Sequence, residues 1–419
     1  MKLILLSGGS GKRLWPLSND QRSKQFIKLL QNGSEYESMV QRVWRQIESI
    51  NLHDDTFIAT SSNQEAILKK QLEIGDNQII VEPSKRDTFA AIALASSYLY
   101  SKLGVSKDEV VIISPVDPYV TETFFSAFLK LEQLLLESDF TIGLIGIEPT
   151  LPSEKYGYIV PLKENSCEIS EFVEKPNKDY AKKLIDKGAM WNAGVFAFKI
   201  STILNILVEK NITVDYDELL LNYEQLPKNS FDYEVVEKQE NIGYLKYSEY
   251  WKDLGTWNTL TDEMSVNKVG NMIEMIDSPN THVLNELDIP VAVLDIPNAV
   301  VSVSSDGILV SSKEESPRVK EIPKTFFQKK AYSEELWGTK KQLTFTDDIE
   351  VILYEMENEK ELEITMCENS KLLKLSGTGH IFYNDSNKII DEQLVVGSNN
   401  KKVLVQSVSK FKFLIIVEK

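Results

Sequence analysis

Five short apolar runs, at residues 3–7, 56–61, 78–83, 109–115 and 140–147, alternate with helix-type segments, and this alternation restricts the fold more than any other feature of the chain. Each run has the length and apolarity of a strand buried on both faces. Between them Val40, Val43, Ile47 and Ile50 recur at helical spacing, and "DTFAAIALASSYLYSK" opens with Asp87 or Thr88 as a helix cap. Alternating β and α predicts a mainly parallel sheet covered by helices on both faces, continuing to about residue 265. Ligands of such sheets sit beyond the carboxyl ends of the strands. The glycine-rich turn at 8–11, "VEPSKRDT" at 81–88 and "SPVD" at 114–117 are therefore predicted to share one rim.

The pattern changes after residue 265. Residues 288–312 read as short strands separated by turns, and 312–324, polar with two prolines, reads as a linker. From about 330 to 419 the chain is again β-rich, as expected of a small sandwich or barrel.

Composition narrows the function. The 419 residues carry a formal charge of −17, which argues against a general nucleic-acid or membrane-surface binder. No apolar run is long enough to span a bilayer, and "LILLS" is too short for a secretory signal, so the expectation is a cytoplasmic protein. Cys167 and Cys367 lack metal-ligand spacing and do not form a disulfide framework. Charge is uneven: residues 1–30 hold six lysines and arginines against one acid, a net +5 that leaves −22 for the rest. Such a cluster fits a specific anion site and a solvated face equally well.

The turn itself, "SGGSGKRLWP", fails two nucleotide motifs. A P-loop needs glycine where Leu6 stands and serine or threonine where Arg13 stands; a dinucleotide fingerprint needs glycine at Leu14. What remains is a small-residue loop whose backbone N–H groups can approach an anion, with Lys12 and Arg13 to neutralise it. A ligand-free structural turn is the alternative, and the local charge favours the anion.

"GGSGKRLWPLS" followed by "KQF" resembles the signature of sugar-1-phosphate nucleotidyltransferases, nearest the mannose-1-phosphate guanylyltransferase branch. Similar motifs follow in order: "IEPTLPSEKYGYI" (147–159), "FVEKPN" (172–177), "WNAGVFAF" (191–198), "SFDYEVVEK" (230–238) and "WKDLGTWNTL" (251–260). The resemblance implies a Rossmann-like, GT-A-like mixed α/β sheet covered by helices over 1–265, a β-helical connector with linker over 266–324, and a small all-β cupin-like domain over 325–419. It also implies attack of a hexose 1-phosphate on the α-phosphorus of an NTP, best matched to mannose 1-phosphate and GTP. GDP-mannose and pyrophosphate would be the products, for polysaccharide biosynthesis.

Under that resemblance, Ser7, Gly8, Gly9, Gly11, Lys12 and Arg13 hold the triphosphate, with Glu82, Arg86, Asp87 and Thr88 in the nucleotide pocket. Arg13 stabilises charge at the transferring phosphorus, and Lys24 is a second phosphate contact. Asp117 and Asp253 match the two carboxylates that hold Mg²⁺. Taken singly, Asp117 reads as a turn aspartate and Asp253 as a cap-like residue. On the sugar side Glu174 accepts from hydroxyls, Lys175 pairs with the phosphate, Gly157 leaves room and Asn192 offers an amide. A solvent-facing ion pair is the alternative for Glu174 and Lys175. Tyr233 and Glu237 are expected as site walls, and Trp191 and Trp257 as packing residues.

Two positions depart from the branch: Pro118 follows the metal-loop aspartate where histidine is usual, and Asp87 replaces an asparagine. Another NTP or hexose 1-phosphate therefore stays open, as does a catalytically silent regulator. In the C-terminal region "ELWGTKKQL" and "SGTGHIFYND" are similar to a cupin phosphomannose isomerase, but "LEITMCENSKLL" carries no histidine where that fold holds its metal. His380 is the only histidine of the region, so a metal-free domain that packs or forms homo-oligomers, without isomerase activity, is expected.

Overall fold

The structure, a computed structural model, describes residues 1–9, 12–323, 331–344, 346, 348–367, 370–383, 386–389, 393–396 and 401–418. The chain divides into two compact units: Met1–Gly8, Ser38–Glu65 and Leu72–Leu254 form one, and Gly9–Glu37, Ala66–Gln71 and Gly255–Lys419 the other.

The first unit is built on a nine-stranded sheet. Strand Lys2–Ser7 is central, parallel to Thr56–Ser61 on one side and to Val110–Pro115 on the other, with Ile79–Glu82 parallel beyond Thr56–Ser61. The apolar runs thus become strands within two residues of their expected ends. Past Val110–Pro115 the sheet turns antiparallel through Met190–Lys199, which also pairs with Ile142–Ile147 and Tyr158–Pro161. The sheet is therefore mixed, as the family resemblance implies, whereas alternation alone pointed to a mainly parallel one.

Helix Asp87–Ser97 buries nine consecutive residues, Phe89 to Ser97, as expected of a helix with little polar face. It joins one extended core with the sheet and with helix Ile200–Glu209. Helix Met39–Ser49 starts at a capping box, Ser38 Oγ accepting from Gln41 N at 3.3 Å while Ser38 N donates to Gln41 Oε1 at 3.1 Å. The caps expected at Asp87 and Thr88 are not formed: Arg86 is the N-cap, without a side-chain bond. Thr88 Oγ1 instead accepts from Phe231 N at 2.8 Å, tying two segments of the site together.

The second unit contains parallel strands stacked at intervals of a coil: Lys268–Gly270, His282–Asn285 and Ala299–Ser304 on one face, Ile273–Ile276 and Val291–Leu294 on another. Val283, Val293, Val301 and Val303 fill their interior. The segment read as a linker holds a 3-10 helix, Ser316–Glu321, in which Ser316 and Val319 are buried and Ser316 Oγ accepts from Asn258 N at 3.2 Å. Beyond it two antiparallel sheets of six and four strands enclose a core drawn from both, including Ile352, Phe413 and Ile415 of one and Ile364, Ile381 and Val405 of the other.

Candidate functional site

The carboxyl ends of the central strands of the first unit gather most of the expected site. Strand Lys2–Ser7 delivers Ser7, buried, and then Gly8, exposed. Neighbouring Ile79–Glu82 ends in Glu82, one of whose oxygens lies 4.0 Å from where a side chain on Gly8 would begin. Glu82 is buried and its Oε2 accepts from Tyr223 OH at 2.7 Å. Burial pushes its carboxyl up to about 7, against the lowering effect of that hydrogen bond. Tyr223, its partner, shows no motif in sequence and is a site residue that sequence reading misses. Arg86 Nε donates to Leu226 O at 2.8 Å and its Nη1 pairs with Glu224, so Arg86 fastens the 81–88 loop to the 223–226 segment.

Asp87 sits at φ 68°, in the left-handed region. Asparagine and aspartate are the side chains that tolerate this conformation best. The replacement of asparagine at this position therefore keeps the backbone and changes only the hydrogen-bonding head; Asp87 Oδ1 accepts from Thr88 N at 2.8 Å.

On the other side of Lys2–Ser7, Val116 N donates to Leu6 O at 3.3 Å, which holds the next residue, Asp117, at the end of the central strand. A short antiparallel ladder follows, in which Trp251–Asp253 pairs with Pro118–Val120 and Asp253 faces Pro118. Asp117 thus directly precedes the strand whose first residue, Pro118, faces Asp253; the two aspartates are 136 positions apart in sequence and both half-buried. Asp253 ends a strand; it does not cap a helix. Two carboxylates with water access offer only oxygen donors, and no group of three or more His, Cys, Asp or Glu placed to hold a metal ion occurs among the described residues. That donor set fits a hard divalent cation that completes its shell with substrate oxygens and water.

The residues expected on the sugar side form a third group. Asn192 N donates to Gly157 O at 2.8 Å, and Lys175 N donates to Tyr156 O at 3.3 Å. Asn192 lies at an irregularity of strand Met190–Lys199, between Asn192 and Phe196, where Gly194 takes φ 73°. Its amide is fully oriented: Oδ1 accepts from Gly194 N at 3.1 Å and Nδ2 donates to Asp232 Oδ1 at 3.0 Å. One amide hydrogen is left for a ligand. Glu174, buried, pairs with Lys175 Nζ, while its own N donates to Glu237 Oε1 at 3.0 Å. The ion pair is only half solvent-facing: the Glu174 side chain is 4% exposed and that of Lys175 is 50% exposed.

Gly157 has a different reason from the one expected. A methyl group there would stand 2.6 Å from Glu174 Oε2 and 2.7 Å from Phe172 Cζ, so the protein itself fills the space beside it. Gly157→Ala is expected to displace Glu174 and to destabilise by roughly 1–3 kcal/mol, measurable as a lowered Tm.

Asp232 is the second residue missed, although it lies inside "SFDYEVVEK". Burial first, and then the charge of Glu174, push its carboxyl up to about 7. Burial also raises Glu174, against the pull of Lys175. Burial opposes charge on Lys175, but the hydrogen bond and charge of Glu174 prevail and raise it. Between roughly pH 4 and pH 7 the folded protein thus binds protons on Glu82 and Asp232 that the unfolded chain has released. Stability of the ligand-free protein is expected to fall as pH rises through that window. Urea titrations from about pH 5 to about pH 8 should show a shallower decline for Asp232→Asn than for the parent chain.

Tyr156 packs on Trp191 at 4.8 Å between ring centroids and on Trp251 at 5.7 Å, joining the sugar-side strand to the strand of Asp253. Trp191 is buried with Nε1 donating to Tyr158 OH at 3.0 Å, a packing residue as expected.

The rest of the glycine loop belongs to the second unit. Gly11 lies outside the described residues; Lys12 and Lys24 are half-buried and Arg13 is exposed. Leu14, Trp15 and Leu17 are buried beneath them. Trp257, fully buried, donates from Nε1 to Trp15 O at 3.1 Å, and Ser304 Oγ donates to Pro16 O at 2.7 Å. The segment 19–22 is fixed by Asn19 Nδ2 donating to Asp306 Oδ2 at 2.9 Å and by Arg22 paired with Glu286 at 2.8 Å. His380 lies in strand Gly379–Tyr383, opposite Ile389 and Gln406. Both cysteines are free. No helix among the described residues is long and apolar enough to cross a membrane.

The chain is 29% identical over 350 residues to the mannose-1-phosphate guanylyltransferase of Escherichia coli, covering 76% of this chain and 74% of that one. It is 28% identical over 352 residues to the alginate biosynthesis protein AlgA of Pseudomonas aeruginosa, with 77% and 71% covered. A crystal structure from Thermus thermophilus, described as a mannose-1-phosphate geranyltransferase, superposes with a TM-score of 0.63 at 28% identity, over 77% of this chain and 98% of that one. The family model described as nucleotidyl transferase matches residues 2–268, the stretch that supplies every site residue located above, and this chain belongs to that family.

Proposed function

We propose that the protein joins mannose 1-phosphate to GTP, releasing pyrophosphate and GDP-mannose for polysaccharide synthesis. The observation that carries the reading is the short ladder in which Asp253 faces Pro118, the residue directly after Asp117, next to the end of Lys2–Ser7. The names of the relatives support the substrates.

The sugar phosphate is already anionic, so no base is needed. Its oxygen forms a bond to the α-phosphorus of the nucleotide, and the bond from that phosphorus to the bridging oxygen of pyrophosphate breaks. The protein's work is alignment and charge neutralisation. Ser7, Gly8 and Gly9 offer backbone N–H groups to the triphosphate, Lys12, Arg13 and Lys24 supply positive charge, and Glu82 to Thr88 line the base and ribose. Lys175 takes the sugar phosphate, and Glu174 and the free hydrogen of Asn192 address hydroxyls. Asp117 and Asp253 would hold a divalent ion, proposed as Mg²⁺, which supplies Lewis-acid neutralisation of phosphate oxygens when bound.

The chain is further proposed to divide into a catalytic domain over 1–265, a β-solenoid connector over 266–324 and a cupin-like domain over 325–419 that has no isomerase activity and provides a homo-oligomer surface. The setting is proposed to be cytoplasmic. Pyrophosphate release measured across NTPs and hexose 1-phosphates with Mg²⁺ tests the reading, with GTP and mannose 1-phosphate expected to give the highest kcat/KM. A different best pair would correct the substrates. No release with any pair would favour a silent sugar-nucleotide-binding regulator, a role for which two metal carboxylates have no use.

A further inference from the structure

In the second unit a cavity of about 380 Å³ opens at the start of the C-terminal β region. Its size falls within the ~300–1,000 Å³ of small-molecule sites. Trp337 stands in the turn between strands Tyr332–Glu335 and Gly338–Gln342, and Lys340 and Gln342 line the cavity from the second of these. Glu350 and Ile352 line it from strand Ile349–Met356, and Gln21, Ala331, Ser333 and Glu335 complete the wall. Residues two apart share a face of a strand, so Lys340 and Gln342 act together. Gln342 faces Ile352 and Lys340 faces Tyr354 across the ladder.

The walls are braced. The Trp337 ring packs on Tyr354 at 5.7 Å, which stacks on Phe413 at 5.1 Å in the core. Gln21 Nε2 donates to Glu335 Oε1 at 3.2 Å, next to the anchored Arg22.

The chemistry selects a ligand class. Two carboxylates against one ammonium disfavour phosphorylated ligands, and the amides and charges disfavour apolar ones. Amides and carboxylates suit a ligand rich in hydroxyls, and an indole face suits the C–H face of a pyranose ring. We propose that this cavity binds a neutral mono- or disaccharide, at a site sharing no residue with the one assigned to nucleotidyl transfer.

Saturation-transfer NMR and calorimetry on the full chain, with methyl α-D-mannopyranoside, methyl β-D-glucopyranoside and cellobiose as probes and mannose 1-phosphate present in excess, test this. At least one probe is expected to bind, with affinity falling by about tenfold or more in both Trp337→Ala and Gln342→Ala. Both variants should keep the parent rate of pyrophosphate release. Should Trp337→Ala fail to fold, Gln342→Ala and Lys340→Ala decide. Absence of binding by all three probes, or binding unaffected by these substitutions, overturns the proposal. Displacement of the probe by mannose 1-phosphate does so too. Because binding is read directly, the result stands whether or not the transfer activity is found.

Discussion

Asp253→Asn and Asp117→Asn should each lower kcat for pyrophosphate release by on the order of 10²–10³-fold, the range seen when one preorganised charge contact to a reacting group is removed. The expectation follows from the ladder. With Asp253 facing Pro118 directly after Asp117, the two carboxylates are proposed to share one site, in which losing either would leave a cation with a single protein ligand. Both are half-buried and Asn is nearly isosteric with Asp, so replacing oxygen by amide should leave the fold intact. A structural role would lower Tm in the ligand-free protein; a ligand role leaves Tm unchanged there but abolishes the extra stabilisation that Mg²⁺ gives in the presence of GTP. The double variant should lose little more than either single one, since residues acting through one ion are not additive. Additive losses, or intact Mg²⁺-dependent stabilisation in either variant, would refute a shared site.

What sequence could show here was set by range. The strands of the first unit were legible because each is buried on both faces and so reads as a continuous apolar run, as in Val110–Pro115 and Ile142–Ile147. The mixed order was not legible in those runs, since period and composition do not record strand direction. Asp117 and Asp253 were found through motif register alone; the ladder joining them is three residues long and carries no periodic signal. Tyr223 and Asp232 escaped because their roles depend on partners elsewhere in the chain, Glu82 at 141 positions and Asn192 at 40. That Glu174 and Phe172 stand beside Gly157 was not legible in sequence, because what occupies the space beside a glycine is a property of packing. The prolines of 312–324 suggested a linker, yet Pro317 falls in the first turn of a 3-10 helix, where a missing N–H costs nothing.

Lys175→Met should depress kcat/KM for the hexose 1-phosphate by roughly 10²-fold or more while leaving the KM for the nucleotide near its parent value. Lys175 has two duties. It is proposed to meet the sugar phosphate, and it offsets Glu174, which itself lies close enough to Asp232 and Glu237 for their charges to be felt. Without Lys175 the pocket holds carboxylates alone, and a dianionic substrate meets repulsion that grows as they ionise. Glu174 and Asp232 are held above the ordinary carboxylate range by burial, Asp232 at about 7. Removing the ammonium raises Glu174 further, while Asp232 ionises within the assay range. The residual kcat/KM of Lys175→Met should therefore decline as pH rises from about 6 to about 8, more steeply than in the parent chain. Glu174→Gln added to Lys175→Met removes that charge, and it should flatten the profile and recover part of the loss at high pH even though a hydroxyl acceptor is weakened. An equal loss at every pH, unrelieved by the second substitution, would mean that Lys175 acts on the substrate phosphate alone and that the buried carboxylates take no part in admitting it.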